Sequence, residues 1–268
     1  MLIFGTAGVP LTAKDEFKAV NVLKSLNLGA MELEFVKGVY MKEDYAKKLK
    51  EYGNGIIFSA HAPHYINLNA KEEEKVENSI KRIIKTAKVL HNCGRNLVFH
   101  PGYYLKNNKE ETFNKIKSNT QRILEKINEL NLNVLLRPET TGRTSQFGDI
   151  DETIALCSEL EILPCIDFSH IYARSKGKIN DYNSFCKILQ KLEDNLGKEA
   201  IKDMHIHLSG IEYGKGGERR HLPLDESNFN YRDVLKALKD FDASGTVICE
   251  SPLLEYDAVK LLKTYYIL

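Results

Sequence analysis

The chain has 268 residues, with 38 lysines and arginines against 37 aspartates and glutamates, so its formal net charge is only +1. This length favours one large domain over two small ones, and the charge balance argues against a non-specific nucleic-acid coat or a membrane-surface protein. Five cysteines without a CxxC pair predict reduced thiols, and the lack of a signal peptide or a membrane-length apolar run predicts a cytoplasmic protein.

Apolar periodicity divides the chain into alternating strands and helices. The predicted strands are 2–4, 30–35, 55–60, 96–99, 134–138, 163–167, 203–208 and 246–249. The predicted helices are 14–26, 41–52, 72–90, 109–130, 150–160, 180–196, 231–241 and 253–266, with a long loop over 210–230. Strict alternation predicts a parallel sheet with right-handed crossovers, and eight such units close into a single (β/α)8 TIM barrel over residues 1–268, with the helices outside.

Side chains of the kind that bind metals close six of these strands. They are His61, His100, Glu139, Asp167, His205 and Glu250, and His170 and His221 follow in the adjoining loops. In a barrel these strand ends meet in one ring, whereas the alternative, an open doubly wound sheet, would leave the outer ends far apart and usually carries a GxGxxG loop, which is absent here. Any one of these residues could simply cap a helix. Six exceed the three or four protein ligands of a single metal, so the sequence predicts two or more ions, an arrangement suited to in-line attack on phosphate esters.

Strand alternation orders the residues of the seventh strand by depth. Asp203, His205 and His207 share one face; with His205 in the ring, Asp203 lies deeper in the barrel and His207 lies toward its mouth. Arg137 lies one layer below Glu139 on the fifth strand. Because a buried arginine needs a partner, we predict an Arg137–Asp203 pair that supports the ligands above it.

The motifs together resemble the endonuclease IV family, which comprises zinc-dependent apurinic/apyrimidinic endonucleases on a TIM barrel. They are His61 followed by Ile66-Asn67-Leu68, Phe99-His100-Pro101-Gly102, Glu139-Thr140-Thr141-Gly142, Cys165-Ile166-Asp167 with His170, Met204-His205, and Glu250. The resemblance implies a DNA-repair hydrolase that cuts duplex DNA on the 5′ side of abasic sites with a metal-activated hydroxide.

The same resemblance implies the roles of the ligands. A first zinc would be held by His61 and His100, with Glu139 bridging to a second. The second zinc would be completed by Asp167, His205 and Glu250, and a third would use His170 and His221; manganese suits these ligands as well. Glu139 and Glu250 would be catalytic.

The chain departs from the family pattern in several places. No histidine follows the first strand in Gly5-Thr6-Ala7-Gly8, and the loop after the second strand reads Val36-Lys37-Gly38-Val39-Tyr40. Arg219 stands where the family has an aspartate ligand. Either Glu218 replaces that carboxylate, or Arg219 supplies positive charge to the scissile phosphate as a catalytic residue; we favour the second.

Residues near the predicted ring are candidates for contacting DNA. Arg174 and Arg220 could form a basic rim, and Tyr65 and Tyr103 could stack on bases or in an abasic gap. His64 and His207 complete the substrate-binding candidates, and we expect a monomer.

A single-metal sugar isomerase or epimerase is the alternative, because such barrels also carry the set Glu139, Asp167, His205 and Glu250. It has no need of the remaining four histidines, His61, His100, His170 and His221, which favour the nuclease.

Overall fold

Eight parallel strands form one sheet in the computed structural model, which describes residues 1–268. They are β1 (Leu2–Ala7), β2 (Ala30–Glu34), β3 (Ile57–His61), β4 (Gly94–Phe99), β5 (Leu135–Pro138), β6 (Cys165–Asp167), β7 (Met204–Leu208) and β10 (Gly245–Cys249), while β8 (Gly210–Gly214) and β9 (Gly217–Leu222) form a separate hairpin. The order in the large sheet is β5-β4-β3-β2-β1-β10-β7-β6, and a parallel bridge between Glu139 and Cys165 joins the two outer strands. The sheet is therefore a nearly closed barrel, which confirms the predicted fold class.

Ten helices accompany the strands and cover the barrel. They are α1 (Glu16–Ser25), α2 (Glu43–Tyr52), α3 (Glu73–Leu90), α4 (Lys109–Glu129), α5 (Ile150–Leu160), α6 (Phe168–Arg174), α7 (Tyr182–Leu196), α8 (Glu199–Lys202), α9 (Tyr231–Asp240) and α10 (Glu255–Ile267). Local chemistry sets several of their ends; α5, for instance, begins with a capping box in which the Asp149 carboxylate accepts from the N–H of Glu152. No helix combines the length and the apolar character needed to cross a membrane.

Two segments predicted as loops are ordered secondary structure. Residues 168–174 form α6, because the Asp167 carboxylate accepts a hydrogen bond from the N–H of His170 and so caps a helix at once. Residues 210–222 form the antiparallel hairpin of β8 and β9. His170 therefore lies in a helix, and His221 lies on a strand.

The lower layer of the barrel contains the predicted arginine–aspartate pair. Arg137, with only 1% of its side chain exposed, donates from Nη2 to Asp203 Oδ2 at 2.5 Å and from Nε to Asn96 Oδ1 at 3.0 Å. This confirms the depth order deduced from strand alternation. The pair also satisfies a buried cation beneath the ring of strand ends, as burial of a charge requires.

Candidate metal centre

Glu139, directly after β5, lies at the centre of a cluster of histidines. Its Oε2 is 3.1 Å from His61 Nε2 and 2.9 Å from His100 Nε2. Its Oε1 is 3.1 Å from His170 Nδ1 and 3.3 Å from His207 Nδ1. The carboxylate is buried, so one acidic group faces four imidazoles that reach it from β3, β4, α6 and β7. The barrel brings these residues together although nearly 150 positions separate the first from the last.

A second set of side chains continues the cluster toward β10 and the hairpin. His170 Nδ1 is 3.2 Å from Asp167 Oδ2, His207 Nδ1 is 3.3 Å from Glu250 Oε1, and His221 Nδ1 is 3.9 Å from Glu250 Oε2. Four groups of potential ligands follow: His61, His100 and Glu139; Asp167, His170, His221 and Glu250; Glu139, Asp167, His207 and Glu250; and Cys165, His205 and His207. In each group the ligand atoms lie within 4.8 Å of one another. Four residues, Glu139, Asp167, His207 and Glu250, each belong to two groups.

The hydrogen-bonding state of the cluster suits cations. Glu139 Oε1, Asp167 Oδ2, Glu250 Oε2 and His207 Nδ1 are all buried and make no aligned hydrogen bond. Unpaired buried carboxylate oxygens are costly in a protein interior. Oxygen and imidazole donors in this mixture are the ligands that zinc and similar divalent ions prefer, so the residues present fit metal binding.

The cluster also perturbs the ionisation of its members. Burial opposes ionisation of Glu139, but His100 and His207 outweigh it and hold the pKa of the carboxyl well below its usual value. Burial raises the pKa of Glu250 well above its usual range, with the neighbouring Glu139 and Asp167 carboxylates acting in the same direction. Burial lowers the pKa of His64 to about 3, helped by His61 and His100, so that imidazole is neutral near pH 7. Such divergent shifts among neighbours are typical of functional sites.

The mouth of the cluster is a small polar cavity of about 230 Å³. No apolar side chain lines it; the lining residues are His61, His64, His100, His170, Glu218, His221 and Glu250. A cavity of this kind accommodates a charged or strongly polar group rather than an apolar one.

Comparison with known proteins places the chain in a family. A family model described as a xylose isomerase-like TIM barrel matches residues 20–264. The chain belongs to the xylose isomerase-like TIM barrel family. Among relatives in that family, an uncharacterized protein of Methanocaldococcus jannaschii is 84% identical over 99% of this chain and 97% of its own length.

Family members with assigned names are more distant. The probable endonuclease 4 of Mycoplasmopsis pulmonis is 28% identical over 81% of this chain and 78% of its own length, and that of Aquifex aeolicus is 24% identical over 74% and 71%. Endonuclease IV from Thermus thermophilus superposes with a TM-score of 0.74 at 18% identity, covering 99% of both chains. A D-tagatose 3-epimerase-like protein superposes with a TM-score of 0.73 at 19% identity, over 93% of this chain and 92% of its own. The matches support the predicted endonuclease IV resemblance as a family relationship, and the structural ones show the shared xylose isomerase-like fold.

One member of the predicted ligand set lies outside the ring around Glu139 and is grouped instead with Cys165 and His207. His205 lies one layer below the ring, where its Nε2 is 2.8 Å from Glu32 Oε2 and its Nδ1 is 2.8 Å from Thr246 Oγ1. His207 takes the place expected for His205, because β7 is paired so that His207, and not His205, stands beside Asp167. Both histidines point inward, as alternation requires, but the strand runs two residues further before its end meets the ring.

The structure places Glu218, and not Arg219, at the cluster. Arg219 is 64% exposed and pairs with Glu212 at 3.2 Å, whereas the Glu218 carboxylate is 14% exposed and lies 3.5 Å from His170 Nε2. The cause is a β-bulge in the hairpin. In the strand pairing, Glu212 lies opposite Arg220 and Tyr213 lies opposite Glu218, so Arg219 has no residue opposite it. The bulge shifts the alternation of side chains along β9 by one residue. Arg219 therefore points away from the cluster, contrary to the position expected for it.

Gly142 leaves the room that Glu218 occupies. A Cβ at position 142 would lie 2.6 Å from the Cβ of Glu218, which is closer than side chains can approach. The N–H of Glu218 donates to the carbonyl of Gly142 at 3.0 Å and fixes the hairpin against the loop after β5. This glycine thus admits a carboxylate into the cluster.

The two arginines of the predicted basic rim differ in their surroundings, and the contact of Arg220 with DNA stays a prediction. Arg174 donates from Nη1 to the carbonyls of Arg143 at 2.6 Å and Gln146 at 3.0 Å, so it braces the loop after β5 and is not free for phosphate. Arg220 is exposed and paired with Glu212 at 2.8 Å.

The other substrate-binding candidates are divided between the cavity and the surface. His64 lines the cavity, with its ring stacked on His100 at 5.6 Å between centroids. Tyr65 is largely exposed, and Tyr103 is half-buried, with its N–H donating to Asn67 Oδ1. Their role in binding substrate stays a prediction.

Sequence analysis missed two glutamates of β2. Glu32 is fully buried beneath the ring and Glu34 stands beside His61 in the strand pairing. Burial raises the pKa of Glu34 to about 7. The signal was present in Ala30-Met31-Glu32-Leu33-Glu34: two glutamates two residues apart in an otherwise apolar strand must share one face, and that face lines the barrel interior.

Proposed function

We propose that this chain is a metal-dependent phosphodiesterase that cuts duplex DNA on the 5′ side of abasic sites. The observation that carries the proposal is the sharing of ligands: the carboxylates Glu139, Asp167 and Glu250 each belong to two of the four ligand groups. Shared carboxylates suit two or three ions lying close together, and closely spaced ions are the usual means of stabilising in-line displacement at phosphorus. The distant relatives named as probable endonuclease 4 support the same activity.

The residues of the chain would divide the work by position. Bound ions would supply positive charge to the phosphate oxygens and lower the pKa of a water molecule. Glu139 would hold neighbouring ions at a fixed separation, because its two oxygens face different histidine pairs. His64, neutral near pH 7, would hydrogen-bond the phosphate or the exposed abasic sugar at the mouth of the cavity.

A single-ion sugar isomerase or epimerase is the second candidate. It is favoured by one observation: Glu139, Asp167, His207 and Glu250 form a complete four-residue group by themselves. In such an enzyme two glutamates would move a proton next to a carbonyl group. That reaction does not require the four histidines outside this group, which are His61, His100, His170 and His221. We therefore favour the phosphodiesterase.

A cleavage assay with a metal count separates the two candidates. The purified chain, loaded with zinc or with manganese, is incubated with a duplex carrying one abasic analogue, and with the same duplex without the analogue as the control. We expect nicking 5′ to the analogue only, loss of nicking on chelation, and two or three ions per chain. Nicking that persists after exhaustive chelation would exclude the metal mechanism. One ion per chain, no nicking and epimerisation of a ketose at C3 would establish the second candidate instead.

A further inference from the structure

A buried carboxylate lies beneath the ligand cluster and contacts it from below. Glu32, on β2, has no exposed surface. Its Oε2 accepts from Ser59 Oγ at 2.7 Å and from His205 Nε2 at 2.8 Å. Its Oε1 lies 2.9 Å from His207 Nε2. Every contact of this carboxylate is therefore with a side chain of the barrel interior.

The two carboxylate oxygens of Glu32 contact different partners. Oε2 is occupied by Ser59 and His205, and Nδ1 of this histidine lies 2.8 Å from the Thr246 hydroxyl and 3.3 Å from the amide nitrogen of Asn96. Because an amide NH₂ can only donate, Nδ1 accepts, and the ring proton of neutral His205 lies on Nε2, facing Glu32. Oε1 and His207 Nε2 face one another at 2.9 Å without an aligned hydrogen bond, and neither has another hydrogen-bond partner. Oε1 is thus directed at His207 alone.

His207 connects this layer to the ring of ligands. While Nε2 faces Glu32, Nδ1 lies 3.3 Å from Glu139 Oε1 and 3.3 Å from Glu250 Oε1. Only one nitrogen of a neutral imidazole has a lone pair in the ring plane. A carboxylate beside one nitrogen keeps the proton there and leaves the other nitrogen to bind a metal.

We propose that Glu32 is a positioning residue that holds the proton of His207 on Nε2 and so leaves Nδ1 free to bind an ion together with Glu139 and Glu250. The inference deepens the proposed function and rests on the metal centre it requires, but not on the substrate. Glu32 would act through His207, because it is buried beneath the ring of ligands. His205, which the sequence predicts as a metal ligand, instead forms a hydrogen bond with Oε2 of Glu32.

Zinc affinity, measured by competition with a chromophoric chelator in the absence of DNA, tests the proposal. We expect Glu32→Gln to weaken zinc binding by roughly 10- to 100-fold, the usual effect of losing a carboxylate that orients a ligating histidine. In a His207→Ala background the same change should have little further effect, because residues acting as a unit are not additive. Equal losses in both backgrounds, or unchanged affinity in Glu32→Gln, would overturn the proposal.

A matched control separates positioning from simple loss of a buried acid. Glu255 is also buried, and its carboxylate accepts from the N–H groups of Leu11 and Thr12, but it belongs to no ligand group. Glu255→Gln should lower stability and leave zinc affinity unchanged.

A second variant covers the case in which Glu32→Gln does not fold. Glu32→Asp keeps the charge but shortens the reach to His207, and it should also weaken zinc binding; unchanged affinity in it would overturn the proposal. Because no nucleic acid is used, a chain that fails to cut abasic DNA still gives a clear answer.

Discussion

Replacing Glu139 by glutamine tests the centre of the cluster most directly. The change keeps the shape of the side chain and removes the charge that faces four imidazoles at 2.9–3.3 Å. Removing one partner of a buried charge pair costs about 3–5 kcal/mol, and we expect the metal-free variant to lose this much free energy of unfolding at pH 7. In the metal-loaded protein we expect at least one ion to be lost. We expect cleavage to fall by at least ~100-fold, which corresponds to about 2.7 kcal/mol of transition-state stabilisation.

The pH dependence of the stability loss has a definite sign. The pKa of Glu139 in the folded protein lies well below its usual value of 4.5, so its stabilising effect is present above that value and is lost as the pH falls through the folded-state pKa. The difference in unfolding free energy between parent and Glu139→Gln should therefore be full at pH 7 and shrink in acid.

Three measurements check the predictions for Glu139. They are denaturant unfolding in chelator at several pH values, metal content by mass spectrometry, and single-turnover cleavage of abasic duplex. Tyr65→Phe, a change at an exposed residue, is the control for effects of mutagenesis and purification. This variant should keep the stability and the metal content of the parent protein. A Glu139→Gln variant with full metal content and near-parental rate would refute the reasoning, since it would mean that this carboxylate does not hold the ions.

Two further predictions concern residues whose roles the structure changed. Glu218→Gln should release the most weakly bound ion and slow cleavage by ~10-fold or more, because the Glu218 carboxylate faces the cluster. Arg219→Ala should keep both the metal content and the cleavage rate. The reverse result, measured by metal content and cleavage rate, would assign the role to Arg219. Arg174→Ala should lower the free energy of unfolding by about 2–4 kcal/mol, because it leaves carbonyls such as that of Arg143 without a charged donor, while Arg220→Ala should change it by less than about 0.5 kcal/mol. A loss of similar size in both, measured by denaturant unfolding, would contradict the bracing role of Arg174.

The sequence by itself determined the barrel and the composition of the ring. Alternating apolar runs and amphipathic helices specify a parallel barrel, and a barrel necessarily brings all its strand ends to one rim. That is why seven of the eight predicted ligands lie in the ring, with His205 one layer below it beside Cys165 and His207, and why the Arg137–Asp203 pair followed from alternation alone.

Only the tertiary structure decided whether His205 or His207, and whether Glu218 or Arg219, faces the cluster. The choice between His205 and His207 depends on the register in which β7 is paired with β6. A register shift of two residues keeps the same side chains pointing into the barrel but changes how deep each one lies. Strand alternation alone therefore cannot detect such a shift. The choice between Glu218 and Arg219 depends on one bulged residue in a hairpin, which reverses the facing of every residue beyond it. The support that Glu32 gives to His207 joins strands 175 positions apart in the chain, and such a contact exists only once the barrel has closed.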